Sequence, residues 1–430
     1  VPNPCRTRSR RAAAIGVSAL AALVIVPLLQ APAAFAVGAA PLCPQPAAIK
    51  GIPLEPSPAL SEHDPHVEAS IVAGALPPGL TLSGSMAALT PYAFTGTPTT
   101  EGTYTFTLRL TFTDSDRKSA TCAMSVRKAP ASVRIEGADR YDQAALVSSS
   151  TFATSETVYL ANGEKFPDAL SAGSVAGIHG APLLLTRDAT LPPSTKSEIS
   201  RLSPDDIVVV GGPASISQSV VDSLAHDFPG AKVTRVSGAD RYAGSRALVQ
   251  HPDFGAPTSS WLYVATGATF PDALAASPAA ISVNAPVLLV DGSKSAPSTA
   301  ELALFKSLKV MGIRIAGGTS SVSSAFASAL KAGPWSVDRI SGPDRHAGAV
   351  ALNQVFDSSA TVYFASGASF PDALSGAPAA GRMSAPVYLV PADCVPNPVL
   401  RDIARIGVTK VVILGGSSTL STAIDRLKPC

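Results

Sequence analysis

The sequence predicts a mainly α/β protein: three tandem modules, each a parallel sheet covered by helices, preceded by a small all-β sandwich. Three observations predict it. Four motifs recur three times in fixed order through residues 132 to 430. Each copy alternates short apolar runs with helix-length segments. Residues 37 to 130 instead are rich in Thr, Pro and Gly and contain a run that alternates with period two.

In chain order, the first segment carries Arg6, Arg8, Arg10 and Arg11, an apolar run from Ala12 to Leu29, and the small-residue pattern Ala34-Phe35-Ala36. A positive start, an apolar middle and an A-x-A site predict a secretory signal peptide over 1–36, removed on export, rather than a membrane anchor. Arg10-Arg11 hints at the twin-arginine route, but no bulky residues follow, so the general pathway is expected. The formal charge of +2 becomes −2 once those four arginines are gone. A near-neutral chain argues against nucleic acid as a partner, because phosphate binding needs a basic surface. With 46% hydrophobic and 15% charged residues the chain is not a disordered one.

Residues 37–130 come next. Thr103 to Thr113 alternates polar and apolar, an antiparallel strand with one wet face, while Leu76 to Leu82 and Thr95 to Gly102 read as turn-rich connectors. An immunoglobulin-like β-sandwich is expected, with Lys128 to Ser132 as linker. Outside the signal the cysteines are Cys43, Cys122, Cys394 and Cys430, an even number in an exported chain, which permits three pairings. The domain plan favours Cys43–Cys122 in the sandwich and Cys394–Cys430 at the other end. Topology speaks against the second pair, since Cys394 follows a strand at one end of its sheet and the last helix runs back toward the other.

Three units follow, at 132–231, 232–336 and 337–430. Arg134-Ile-Glu-Gly-Ala-Asp-Arg-Tyr141 returns as Arg235 to Tyr242 and as Arg339 to His346. Phe166-Pro-Asp-Ala-Leu170 returns at Phe270 and Phe370, and Ala181-Pro-Leu-Leu-Leu185 at Ala285 and Ala385. An apolar run ending in Gly-Gly closes each unit, at Gly211-Gly212, Gly317-Gly318 and Gly415-Gly416. In the first unit strands are expected at Val133–Ile135, Thr157–Leu160, Ala181–Thr186 and Ile207–Val210. Helices are expected at Asp139–Phe152, Pro167–Ala176, Pro192–Leu202 and Ser217–Phe228, the last capped by Ser217. Unalternating β-branched and leucine runs suit a parallel sheet buried on both faces.

On these motifs the three units resemble the cell wall-binding repeat 2 family of Gram-positive surface proteins, over about 300 of the 430 residues. The resemblance implies Toprim-like modules in a pseudo-threefold arrangement and non-covalent anchoring to anionic cell-wall polysaccharide. The segment around Leu76 to Gly102 resembles an immunoglobulin-like domain of bacterial surface proteins. The third unit departs at Pro343 and His346. Ala275 stands where the other units have Ser171 and Ser375, so a hydroxyl role there is not shared.

Arg140, Arg241 and Arg345 are the candidate polymer contacts, because a guanidinium fork matches phosphate or carboxylate; the alternative is a structural pair with Asp139, Asp240 and Asp344 or another carboxylate, holding the first helix. Asp168, Asp272 and Asp372 stand in the first turn after a proline, where a carboxylate complements the helix dipole; the alternative is a contact to sugar hydroxyls or a bridging cation. The Gly-Gly pairs suit either anion binding or a tight turn. Enzyme signals are thin. His63-Asp-Pro-His66 is a weak metal motif, Ser125-Val-Arg-Lys128 matches S-x-x-K only as a string, and Glu136 is replaced by Ser237 and Ser341 in the later units, so no shared acidic metal site is expected. The expectation is a secreted, non-catalytic protein of the cell-wall surface, without cofactor, metal or, after signal cleavage, membrane contact. Signal, sandwich and repeats account for the chain, so a catalytic domain is not expected. The alternatives are a wall-remodelling enzyme of the muramoyl amidase type and an adhesin acting through the β-sandwich.

Overall fold

The structure, a computed structural model, describes residues 39–430 apart from 63, 65, 86, 87, 89 and 257. The expected signal peptide and His63 lie outside the described residues. Everything below concerns the compact unit Ala40–Cys430.

The sandwich comprises β1 (Ala47–Ile49), β2 (Leu54–Pro58), β3 (Val67–Gly74), β4 (Leu80–Ser85), β5 (Thr90–Gly96), β6 (Gly102–Phe112) and β7 (Arg117–Arg127). One sheet runs β1-β7-β6-β3 and the other β2-β5-β4. On β6 the alternation buries Phe106, Leu108 and Leu110 and leaves the threonines and Arg109 on the wetter face, as the period-two pattern requires. Two expectations are corrected. The segment read as a connector ends in β4, because Leu80 and Leu82 lie along β5 opposite Gly96 and Phe94. The expected linker is short: the next strand starts at Ala131. Cys43 and Cys122 are bonded, tying the segment before β1 to β7 with Cα atoms 5.4 Å apart.

The repeats form β8 (Ala131–Ile135), α1 (Arg140–Thr151), β9 (Thr157–Asn162), α2 (Phe166–Ile178), β10 (Leu183–Thr186), α3 (Pro193–Leu202), β11 (Asp206–Val210) and α4 (Gln218–Asp227). The second follows as β12 (Lys232–Val236), α5 (Arg241–Val249), β13 (Trp261–Thr266), α6 (Pro271–Ser282), β14 (Val287–Val290), α7 (Thr299–Ser307), β15 (Gly312–Ala316) and α8 (Ser324–Lys331). The third is β16 (Ser336–Ile340), α9 (Arg345–Leu352), β17 (Thr361–Ser366), α10 (Pro371–Leu374), α11 (Gly376–Arg382), β18 (Val387–Val390), α12 (Asn397–Ile406), β19 (Lys410–Leu414) and α13 (Thr422–Asp425). The strands are parallel, and the central ones are buried on both faces. Ser217 stands at the start of α4, but its hydroxyl meets Ser219 and makes no cap bond; the equivalent Ser323 and Ser421 do cap.

The sheets do not coincide with the repeats. Their orders are β10-β9-β11-β12, β14-β13-β15-β16 and β18-β17-β19-β8. Each repeat therefore lends its first strand to the sheet of the preceding one. The first repeat lends β8 to the third, Ala131 to Ile135 pairing with Lys410 to Leu414, which closes the triplet into a ring.

Helices α2, α6 and α11 pack against one another at the centre. Small residues permit this: a Cβ at Gly173 would meet Ala377 Cβ at 3.7 Å, and one at Gly381 would strike Ile281 at 2.6 Å. Phe166, Phe270 and Phe370, one from each F-P-D motif, meet as a triad with centroids 6.2, 5.5 and 5.8 Å apart. Such ring pairs add about 0.5–1.5 kcal/mol each beyond burial.

The sandwich docks on the third module. Ala47 and Ile49 of β1 share a core with Val399, Leu400 and Ile403 of α12, and Arg401 pairs with Glu55. Cys394 and Cys430 are also bonded, with Cα atoms 4.8 Å apart. The topological objection is met by the tail. Leu427 turns at φ +52°, the Val395 amide donates to Lys428 O at 2.7 Å, and Val395 bridges to Pro429, so the tail crosses to Cys394.

Candidate ligand-binding clefts at the module junctions

The D-R dipeptide of each repeat opens a helix. Asp139, Asp240 and Asp344 stand in extended backbone just before α1, α5 and α9 and accept from the helix amides: Asp139 from Tyr141 and Asp142, Asp240 from Ala243, Asp344 from His346 and Ala347. Among the described residues these carboxylates form no pair with the neighbouring arginines, which removes one half of the expected alternative and leaves the other, a different carboxylate. Arg140 and Arg241 instead each donate to a backbone carbonyl, of Gly163 and Gly267 at 2.7 Å, and Arg345 donates to that of Gly367. Each of these glycines stands three residues before the phenylalanine of an F-P-D motif. A Cβ on any of them would press on the arginine Cδ at 3.2 Å, so the arginine stem lies directly on the loop.

Asp168, Asp272 and Asp372 lie in the first turns of α2, α6 and α10, as expected, and are half-buried. Ser215 donates to Asp168 at 2.7 Å, Ser321 to Asp272 at 2.6 Å, and Thr419 to Asp372. Each hydroxyl stands four residues beyond the first glycine of a Gly-Gly pair. Those first glycines have φ of +131°, +104° and +106°, and a Cβ on Gly211 would sit 2.7 Å from Asp168 Oδ2. Backbone and neighbour thus both demand glycine. Burial pushes all three carboxyls above the usual range; the hydroxyl bond and a facing arginine pull the other way.

That arginine comes from the next repeat. Arg241 faces Asp168, Arg345 faces Asp272, and Arg140 closes the cycle by facing Asp372. The predicted arginines and aspartates therefore do come together, but across module junctions. Between the second and third modules they line a cleft of about 410 Å³ with Phe270, Gly317, Gly318 and Ser321. Arg241 and Arg345 are exposed and lie over the rings of Phe166 and Phe270, at 5.9 and 6.0 Å. Beyond one carbonyl bond each, their guanidinium donors have no hydrogen-bond or ion-pair partner among the described residues.

Sequence reasoning missed the other recurring arginine. Arg134, Arg235 and Arg339 reach from β8, β12 and β16 to the Gly-Gly loops, donating to the carbonyls of Gly415, Gly211 and Gly317 at 2.8, 2.8 and 2.7 Å. Arg134 adds an ion pair to Asp425 at 2.7 Å. Their recurrence in R-x-x-G was the available signal. Ser171 and Ser375 are buried, and their hydroxyls have no hydrogen-bond partner among the described residues.

Comparison with known proteins bears on both the repeats and the sandwich. The model of the cell wall binding domain 2 (CWB2) family matches residues 134–221, 235–327 and 339–425, and an Ig domain family matches 46–127. The N-acetylmuramoyl-L-alanine amidase LytC of Bacillus subtilis is 26% identical over 69% of the chain, and the amidase enhancer of the same organism 31% over 68%. The aligned regions span 58% and 39% of those relatives. Among solved structures, Cwp6 from Clostridium difficile shares the fold at TM-score 0.62 and 18% identity, covering 89% of this chain and 67% of that one. Cwp8 from the same organism does so at 0.62 and 22%, covering 76% and 59%. With three matched copies accounting for most of its length, the chain belongs to the cell wall binding domain 2 family.

Proposed function

We propose that the protein is exported and held on a Gram-positive cell wall by anionic wall polymer lying in the junction clefts, without catalysis of its own. The observation that carries this reading is the placement of Arg241 and Arg345: exposed, braced by one carbonyl and an aromatic ring, with donors left over beside a Gly-Gly loop. A guanidinium so placed offers a planar fork to a phosphate or carboxylate. Clefts repeated around one body add avidity without any one of them being strong.

The test is co-sedimentation of the mature chain with purified walls, before and after extraction of their anionic polymers. Retention is expected on intact walls only, falling as salt rises, with no soluble wall fragments released. Equal retention on extracted walls would contradict the polymer reading, and released fragments would contradict the non-catalytic one.

A further inference from the structure

The three junctions are not equivalent. At the first junction the second glycine, Gly212, has Ser237 as its nearest neighbour, 3.8 Å from where a Cβ would stand. At the second, Gly318 meets nothing closer than Ser320 Oγ at 4.0 Å. At the third, the same position on Gly416 lies 2.5 Å from Oε1 of Glu136. Glu136 directly follows β8, the strand that the first repeat lends to the third sheet, so ring closure itself delivers this carboxylate to the cleft. Asp372 already flanks the adjacent Gly415. The Gly-Gly loop of this junction is thus bracketed by two carboxylates, where the other junctions have one carboxylate and a serine. Glu136 is exposed, and its carboxylate has no hydrogen-bond or ion-pair partner among the described residues.

We propose that Glu136 acts as a built-in anionic occupant of the third cleft, so that the triplet presents a phosphodiester polymer with two open clefts and one closed to it. The carboxylate covers the glycine loop and repels an incoming anion from the position beside Arg140. Arg241 and Arg345 then carry binding, and Arg140 does not. This rests on the reading of the clefts as polyanion sites and adds which of them are used.

The experiment is calorimetric titration of the mature chain with a short poly(glycerol phosphate) oligomer at low salt, comparing wild type, Glu136→Ser and Glu136→Gln. Thermal melts check that each variant is folded. The wild type is expected to bind two oligomers per chain. At least one Glu136 variant is expected to bind three, a 1.5-fold rise that adding Arg140→Gln abolishes. Three equal sites in the wild type, or two in both folded Glu136 variants, would overturn the inference while leaving the polyanion reading intact. No binding by any form, to oligomer or to walls, would overturn that reading and this inference with it.

Discussion

Arg134 and Arg140 lie six residues apart in one motif and do different work. Arg134 spends its donors on Gly415, Ser421 and Asp425, holding a loop of the third module, whereas Arg140 makes one carbonyl bond on Gly163. Recurrence at a fixed spacing is equally visible for both, which is why the repeat pattern could nominate arginines but not sort them. The aspartates show the same limit. Their place after Phe-Pro announces a helix start, yet the partner hydroxyls Ser215, Ser321 and Thr419 lie 47, 49 and 47 residues further on. Burial has a thermodynamic consequence here. The folded Asp272 carboxyl is raised above its ordinary value near 3.8, so the folded state holds its proton longer than the unfolded one. That contribution to stability is full below pH 3.8 and is lost as pH rises through the folded value. Denaturant titrations of wild type and Asp272→Asn from pH 3 to 7 should therefore show the wild type losing ground with rising pH, at no more than about 1.4 kcal/mol per pH unit. A difference that grows in the wild type's favour would mean the carboxylate is stabilised by Arg345 more than it is penalised by burial.

Most helices and strands of the modules were legible because each is announced by composition. Prolines open α2 and α3, leucine runs make β10 and β14, and Asp139 ends the chain's extended approach to α1. What could not be read was which strand pairs with which. β8, β12 and β16 look like the first strands of their own units, and only three-dimensional pairing shows each completing the sheet before it. The path of the C-terminal tail was hard to read for a related reason. Helix direction argued against a bridge, but α13 is a single turn, and Leu427 reverses the chain toward Cys394. Closing a loop of 36 residues restricts the unfolded chain by about 4 kcal/mol in the loop-entropy picture. Replacing Cys394 and Cys430 by Ser should lower unfolding stability by roughly 2–4 kcal/mol in urea titrations. It should also loosen the nearby α12, read as faster hydrogen exchange where the sandwich docks. Unchanged exchange in α12 would show that the shared core with β1 suffices to hold it.

At the level of the molecule, the alanine-rich composition and the triple F-P-D motif have one explanation. Ala172, Ala276 and Ala380 are fully buried on the three central helices, letting them approach until Phe166, Phe270 and Phe370 touch. Around that centre each module needs a strand and an arginine from its successor, so sheet and cleft are completed by the same hand-over. The ring closes only when all three repeats are present, so the triplet is one folded body. The sandwich is part of that body through β1 and α12 and does not hang from it by a free linker. The measurement that tests the central claim most directly is wall retention of the full mature chain carrying Arg241→Gln and Arg345→Gln together, against wild type, with thermal melting on the same samples. The account predicts that apparent affinity for walls falls on the order of 100-fold and that its salt dependence flattens, at an essentially unchanged melting temperature. Undiminished retention by a folded double variant would contradict it, and would leave the junction arginines as braces for the loops they touch.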